Sequence, residues 1–158
     1  MGNWTRFWVW ALAALGIDQF FKLGVVSWIG LRTLGQVEVF PPYLVFRLGW
    51  NRGVNFGLLP ADSDFARWML IGVSIAICGL VMWWIRNETR ALAWISAGFL
   101  VGGALGNVVD RLLYGAVLDF LNVSCCGVQN PYVFNTADIA IFAGAIGLIL
   151  FTGEKNDA

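Results

Sequence analysis

Apolar residues run in four long blocks, over residues 8–29, 65–85, 91–109 and 133–152, and polar segments separate them. A helix that crosses a bilayer needs about 20 mainly apolar residues, so each block is expected to be a transmembrane helix. Between the first and second blocks the pattern changes. Val37-Glu38-Val39-Phe40 and Leu44-Val45-Phe46-Arg47-Leu48 read as short β-strands punctuated by Pro41-Pro42 and Gly49. A small extramembrane sheet is therefore expected within roughly residues 32–59. Arg86-Asn87-Glu88-Thr89-Arg90 forms a tight polar turn between the second and third blocks. Residues 110–132 mix charge, glycine and apolar side chains. That is too apolar for a solvated linker, so the segment is expected to lie along the membrane interface. The pattern predicts a mainly α membrane protein: four transmembrane helices with a small extramembrane β-sheet, all 158 residues forming one domain.

The first block also has the look of a signal peptide, because Arg6 precedes the apolar run and Ala11-Leu12-Ala13 resembles a cleavage site. The run continues past Ala13, however, and Asp18, Gln19 and Lys22 follow at helical spacing. Asp18 and Lys22 are i and i+4 and share a face, where they can pair. A discarded peptide has no use for such a pair.

Composition agrees with the membrane reading. The chain is 59% hydrophobic and 13% charged, with mean hydropathy +0.72, against about 45–50% and about 25% in soluble domains. Nine Trp and three Tyr suit extensive membrane–water interfaces. Zero net charge gives no sign of a nucleic-acid partner. Positive charges do not resolve orientation: Arg6, Arg86, Arg90 and Lys155 oppose Arg32, Arg47, Arg52, Arg67 and Arg111. Cys78 lies within an apolar run as a small hydrophobe. Cys125 and Cys126 are adjacent in a loop and are not expected to bridge one another.

The chain has no His, which excludes Ser-His and Cys-His nucleophiles and His-based metal centres. The chemistry then rests on carboxylates. Asp119 and Asp138 both sit in or against apolar sequence, where an ionised side chain is costly and so marks a functional site. Two such groups point to a pair sharing one proton. Asp138 has a structural reading as well, at the N3 position of a helix capped by Asn135. In Gly102-Gly103-Ala104-Leu105-Gly106-Asn107-Val108-Val109-Asp110-Arg111, Gly102 and Gly106 make a small-xxx-small packing pair. Asn107 and Arg111 point the same way, and Asp110 and Arg111 either pair with one another or form a polar shelf for substrate. Asn51-Arg52-Gly53-Val54-Asn55-Phe56-Gly57 is either a turn entering a helix or a peptide-binding segment. A carrier using Asp18, Asp119 and Asp138 as a proton relay is the rival class. It lacks the internal repeat that transporters usually show.

Five motifs occur in a fixed order: Asp18-Gln19-x-x-Lys22, Asn51-x-Gly53-Val54-Asn55-Phe56-Gly57, Gly106-Asn107-x-x-Asp110-Arg111, Val117-x-Asp119-Phe120 and Phe134-Asn135-x-Ala137-Asp138. Each is weak alone. Together they resemble the lipoprotein signal peptidases, the bacterial signal peptidase II family, from the first apolar block to the fourth. The resemblance implies an intramembrane aspartic protease with Asp119 and Asp138 as its dyad and no metal or cofactor. It implies substrate-binding roles for Asn51, Gly53, Asn107, Arg111 and Asn135, and supporting roles for Asp18, Lys22 and Asp110. The implied substrate is a prolipoprotein whose lipobox Cys carries a diacylglyceryl group, reached from membrane lipid by a monomer. The implied location is the bacterial cytoplasmic (inner) membrane, with both termini cytoplasmic and the active site towards the outer face. Asn55 departs from the small residue many members carry, and Cys125-Cys126 falls in a variable loop; neither touches the aspartates.

Overall fold

A computed structural model describes residues 2–53, 64–127 and 130–152. Helix α1 (Asn3–Leu23) continues into a π-helical turn (Gly24–Trp28) and is followed by the short α2 (Leu31–Leu34). Then come strands β1 (Gln36–Phe40) and β2 (Leu44–Asn51), helices α3 (Asp64–Ile85) and α4 (Ala91–Tyr114), strand β3 (Val117–Val123) and helix α5 (Thr136–Phe151).

Among the described residues, three helices are long and apolar enough to cross a membrane: α1 with its π turn, α3 and α4. The fourth apolar block forms a helix of 16 residues, about 24 Å long at 1.5 Å per residue. It is shorter than the predicted block because residues 133–135 are not helical. Phe134 is bridged to Leu121, and Asn135 takes an extended conformation as the N-cap. Helix α4 instead outruns its block by five residues, through Tyr114, and stops at Gly115 in the left-handed region. Asp110 can be carried inside it because its carboxylate finds buried partners, described below.

Helix α4 is the centre of the bundle, and its glycines explain why. A Cβ on Gly98 would sit 2.6 Å from the Phe7 carbonyl oxygen, and one on Gly102 would collide with the backbone of Ala11. On another side, a Cβ on Gly103 would sit 2.5 Å from the Ala137 carbonyl, and one on Gly144 of α5 would sit 2.5 Å from the Leu100 nitrogen. The expected Gly102–Gly106 pair does face α1, since a Cβ on Gly106 would sit 2.8 Å from Asp18 Oδ2. Backbone-to-backbone approach brings α1 and α5 against α4. Around this contact Phe7, Ile85, Trp94, Ala97, Val101 and Leu148 form an apolar core. Large apolar side chains such as Leu12, Phe20, Leu80, Trp83, Phe142 and Ile149 face outward, as a lipid-facing surface requires.

The sheet has three antiparallel strands in the order β1-β2-β3. The first two match the predicted pair. The third lies in residues 110–132, where only an interfacial segment was expected. Val117, Leu118, Asp119 and Phe120 are all buried, so the strand has no alternation of apolar and polar positions by which to recognise it. Phe120 packs with Val25 and Leu31, fixing the sheet to the end of α1. A second correction concerns Cys125 and Cys126, which are joined as a disulfide. The chain turns there through left-handed backbone at Cys126 and Gly127, which brings the neighbouring sulfurs together.

Candidate active site

The start of α5 organises the site. A helix N-terminus leaves backbone N–H groups without partners inside the helix. The N–H of Asp138 donates to Asn135 Oδ1 (2.9 Å), and the N–H of Asn135 donates to Asp138 Oδ2 (3.2 Å). This is a reciprocal capping box with an aspartate at N3. The N–H of Ala137 donates to Asp18 Oδ1 of α1 (2.8 Å), as does the Thr136 hydroxyl (2.7 Å). The first turn of α5 is therefore held by its own cap and by a carboxylate from another helix.

Asp18 belongs to a buried ionic cluster. Lys22 Nζ lies 2.8 Å from Asp18 Oδ2 and 2.7 Å from Asp110 Oδ2. All three side chains are almost completely buried. Asp110 also accepts from the Leu118 N–H (3.0 Å) and from Gln19 Nε2 (3.0 Å). The expected i,i+4 pair of Asp18 and Lys22 is present, whereas Asp110 turns to Lys22 rather than to its neighbour Arg111. The cluster ties α1, α4, β3 and α5 together at one level.

Asp119 and Asp138 meet neutral partners instead. Asn135 Nδ2 donates to Asp119 Oδ1 at 2.6 Å. Asn107 Nδ2 donates to Asp138 Oδ1 at 2.9 Å. Asn135 Nδ2 also donates to Asn107 Oδ1 at 3.1 Å. Two asparagine amides thus bridge the carboxylates, and Asn135 touches both. Strand pairing delivers the third amide. Gly49 of β2 lies opposite Asp119, and Asn51 lies opposite Val117. Asn51 accepts from the Gly53 N–H (3.0 Å), and its side-chain amide acts on Asp119 in the direction that favours the ionised carboxylate. Gly53 sits at φ 103°, where a Cβ would also run into Leu70, so glycine is required for the turn that orients Asn51.

Asp119 is 2% exposed. Burial, and next the charge of Asp138, push its carboxyl up to about 6, against opposing pulls from Asn51, Asn135 and Lys22. Arg111 stands half-buried one turn from Asn107, donating to its carbonyl oxygen (3.4 Å). Its charge is coupled to Asp119, Asp138 and Asp110. Asn55 lies outside the described residues. Every other residue picked from the sequence (Asp18, Lys22, Asn51, Gly53, Asn107, Asp110, Arg111, Asp119, Asn135 and Asp138) falls in this one region. Sequence reasoning gave no contact to Thr136, which holds Asp18 from position N1 of α5, and gave Gln19 no role of its own. A hydroxyl beside a capping asparagine was the available signal for Thr136.

The chain matches known proteins in sequence and, in one solved structure, in fold. The family model described as signal peptidase (SPase) II matches residues 10–153. A lipoprotein signal peptidase of Methylorubrum extorquens is 44% identical over 140 residues, covering 88% of this chain and 80% of that protein. One from Caulobacter vibrioides is 39% identical over 153 residues, covering 93% and 88%. A solved bacterial membrane enzyme, determined by the in meso method at 1.9 Å resolution, superimposes with a TM-score of 0.75 at 26% identity, covering 90% of this chain and 88% of that one.

Proposed function

The chain belongs to the signal peptidase II family, and on that premise we propose that it removes the signal peptide from prolipoproteins by aspartic proteolysis inside the membrane. The substrate is a prolipoprotein already carrying diacylglyceryl on its lipobox Cys, and the peptide bond N-terminal to that Cys is cut. The observation that carries the reading is Asn135, whose one amide is hydrogen-bonded to Asp119 while its backbone N–H is bonded to Asp138.

Two adjacent carboxylates in a buried site resist joint ionisation, so the pair holds one proton near neutral pH. The ionised carboxylate takes a proton from water as the water oxygen attacks the scissile carbonyl carbon. The protonated one donates a hydrogen bond to the carbonyl oxygen, stabilising the charge that develops there. Collapse of the tetrahedral intermediate breaks the C–N bond, and the leaving amine takes a proton from the pair. The pair titrates as a unit through this cycle. Asn107 and Asn135 hold the carboxylates. Asn51, set by Gly53, lies at the end of β2 where an extended lipobox can pass, and Arg111 completes the polar shelf. Asp18, Lys22 and Asp110 support the fold around them.

In this reading α5 is the fourth membrane span, both termini are cytoplasmic, and the dyad lies towards the outer face of the bacterial inner membrane. The acyl chains of the substrate stay in lipid beside the outward-facing apolar side chains. The test is cleavage of a diacylglyceryl-modified lipobox peptide by purified protein in detergent, with product masses read by mass spectrometry. The expected result is a new N-terminus at the lipidated Cys, absent with Asp119→Asn or Asp138→Asn. Folded wild type that leaves the peptide intact, or full cleavage by either variant, would refute the reading.

A further inference from the structure

We propose that Lys22 is a positioning residue for the carboxylate pair, acting through Asn107. The proposal rests on the peptidase reading above and goes beyond the supporting role in the fold assigned to Lys22 there.

An ammonium has three N–H donors. Those of Lys22 are matched by three acceptors: Asp18 Oδ2 at 2.8 Å, Asp110 Oδ2 at 2.7 Å and Asn107 Oδ1 at 3.4 Å. Asn107 Oδ1 also receives Asn135 Nδ2 (3.1 Å). With its oxygen held by two donors, Asn107 must turn its Nδ2 towards Asp138, to which it donates at 2.9 Å. The amide thereby transmits the ammonium's polarity: the cation draws electron density to Oδ1, which makes Nδ2–H a better donor to the carboxylate. Cation, first amide and Asp138 form one chain, and the second amide extends it to Asp119 (2.6 Å). The ionic cluster and the carboxylate pair are thus consecutive parts of one hydrogen-bonded network. The positive charge of Lys22 also acts on Asp119, in the direction that favours ionisation.

Among the described residues, charged groups that act on the pair or its amides come from α1 (Asp18 and Lys22) and α4 (Asp110 and Arg111). From β2 it is the uncharged Asn51 that reaches it. Removing Lys22 alone leaves two buried carboxylates uncompensated, which is strongly destabilising, so that variant by itself does not separate folding from tuning. The comparison is Asp18→Asn against Asp18→Asn/Lys22→Gln, in which Asp110 alone loses the cation and keeps the Leu118 N–H and the Gln19 amide as donors. Both retain Arg111 and Asp110, and an asparagine oxygen at position 18 can still accept from Ala137 and Thr136. Only the second lacks the cation. Cleavage of the diacylglyceryl-modified peptide is followed across pH, alongside thermal melting.

Without the cation, carboxylates are harder to ionise. The acid limb of the kcat/KM profile is expected to move to higher pH by about half a unit to one unit. We expect kcat to fall about tenfold with KM within about threefold. Restoring lysine in the same background returns the limb. A lower melting temperature with an unmoved acid limb and unchanged kcat per folded molecule would overturn the proposal and leave Lys22 as a fold residue only. Failure of the peptidase reading is distinguishable, because then Asp119→Asn and Asp138→Asn would not reduce cleavage at all.

Discussion

Two groups of buried or half-buried acids lie within a few hydrogen bonds of one another and are treated in opposite ways. Asp18 and Asp110 share a lysine at 2.8 and 2.7 Å and are further satisfied by backbone N–H groups. Asp119 and Asp138 are held by asparagine amides and a backbone N–H. An acid held by a buried lysine and backbone donors joins several elements and suits a structural role. An acid held by neutral donors, with a second acid beside it, suits proton transfer. The partner, rather than the acid, decides the role.

The largest effect expected from breaking this contrast is chemical. Asp119→Asn or Asp138→Asn should lower cleavage by at least about a thousandfold, since neither amide can take a proton from water. Next comes Lys22→Met, which strands two buried carboxylates. A loss of about 3–5 kcal/mol is expected, seen as failure to accumulate or a much lower melting temperature. Packing comes third. Gly102→Val, where even a Cβ meets the Ala11 backbone, should cost about 1–3 kcal/mol in thermal melting.

Fourth is a stability difference of the opposite sign. The Asp119 carboxyl is pushed up to about 6 from an ordinary value of 3.8. A raised carboxyl penalises the folded state where it must ionise, in full above about pH 6, and the penalty fades as pH falls through about 6 towards 4. Asp119→Asn should therefore melt at or above wild type at pH 8, with the difference gone near pH 4. The smallest effect is at the disulfide. Reduction of Cys125–Cys126 should leave cleavage within about twofold, because that turn lies beyond the end of β3, away from the pair.

Much of this contrast was legible in the sequence. The Asp18–Lys22 pair follows from helical spacing, and the capping of Asp138 by Asn135 follows from residue type and offset. What was not legible depended on tertiary contact. Asp110 stands next to Arg111 in sequence, yet helix geometry points the two apart, and the close approach of α1 that its Gly106 neighbour allows hands Asp110 to Lys22. The strand carrying Asp119 was hidden because it is buried on both faces and loses its alternation. The order of five weak motifs still gathered residues that the fold brings into one region, since motif order records the chain's path even where periodicity fails.

The most direct test sets one acid of each kind side by side: cleavage rate per folded molecule and melting temperature for Asp138→Asn and Asp110→Asn. The account predicts that Asp138→Asn melts within a few degrees of wild type and does not cleave, while Asp110→Asn melts distinctly lower and still cleaves. Cleavage surviving in Asp138→Asn, or lost from a well-folded Asp110→Asn as completely as from Asp138→Asn, would contradict it.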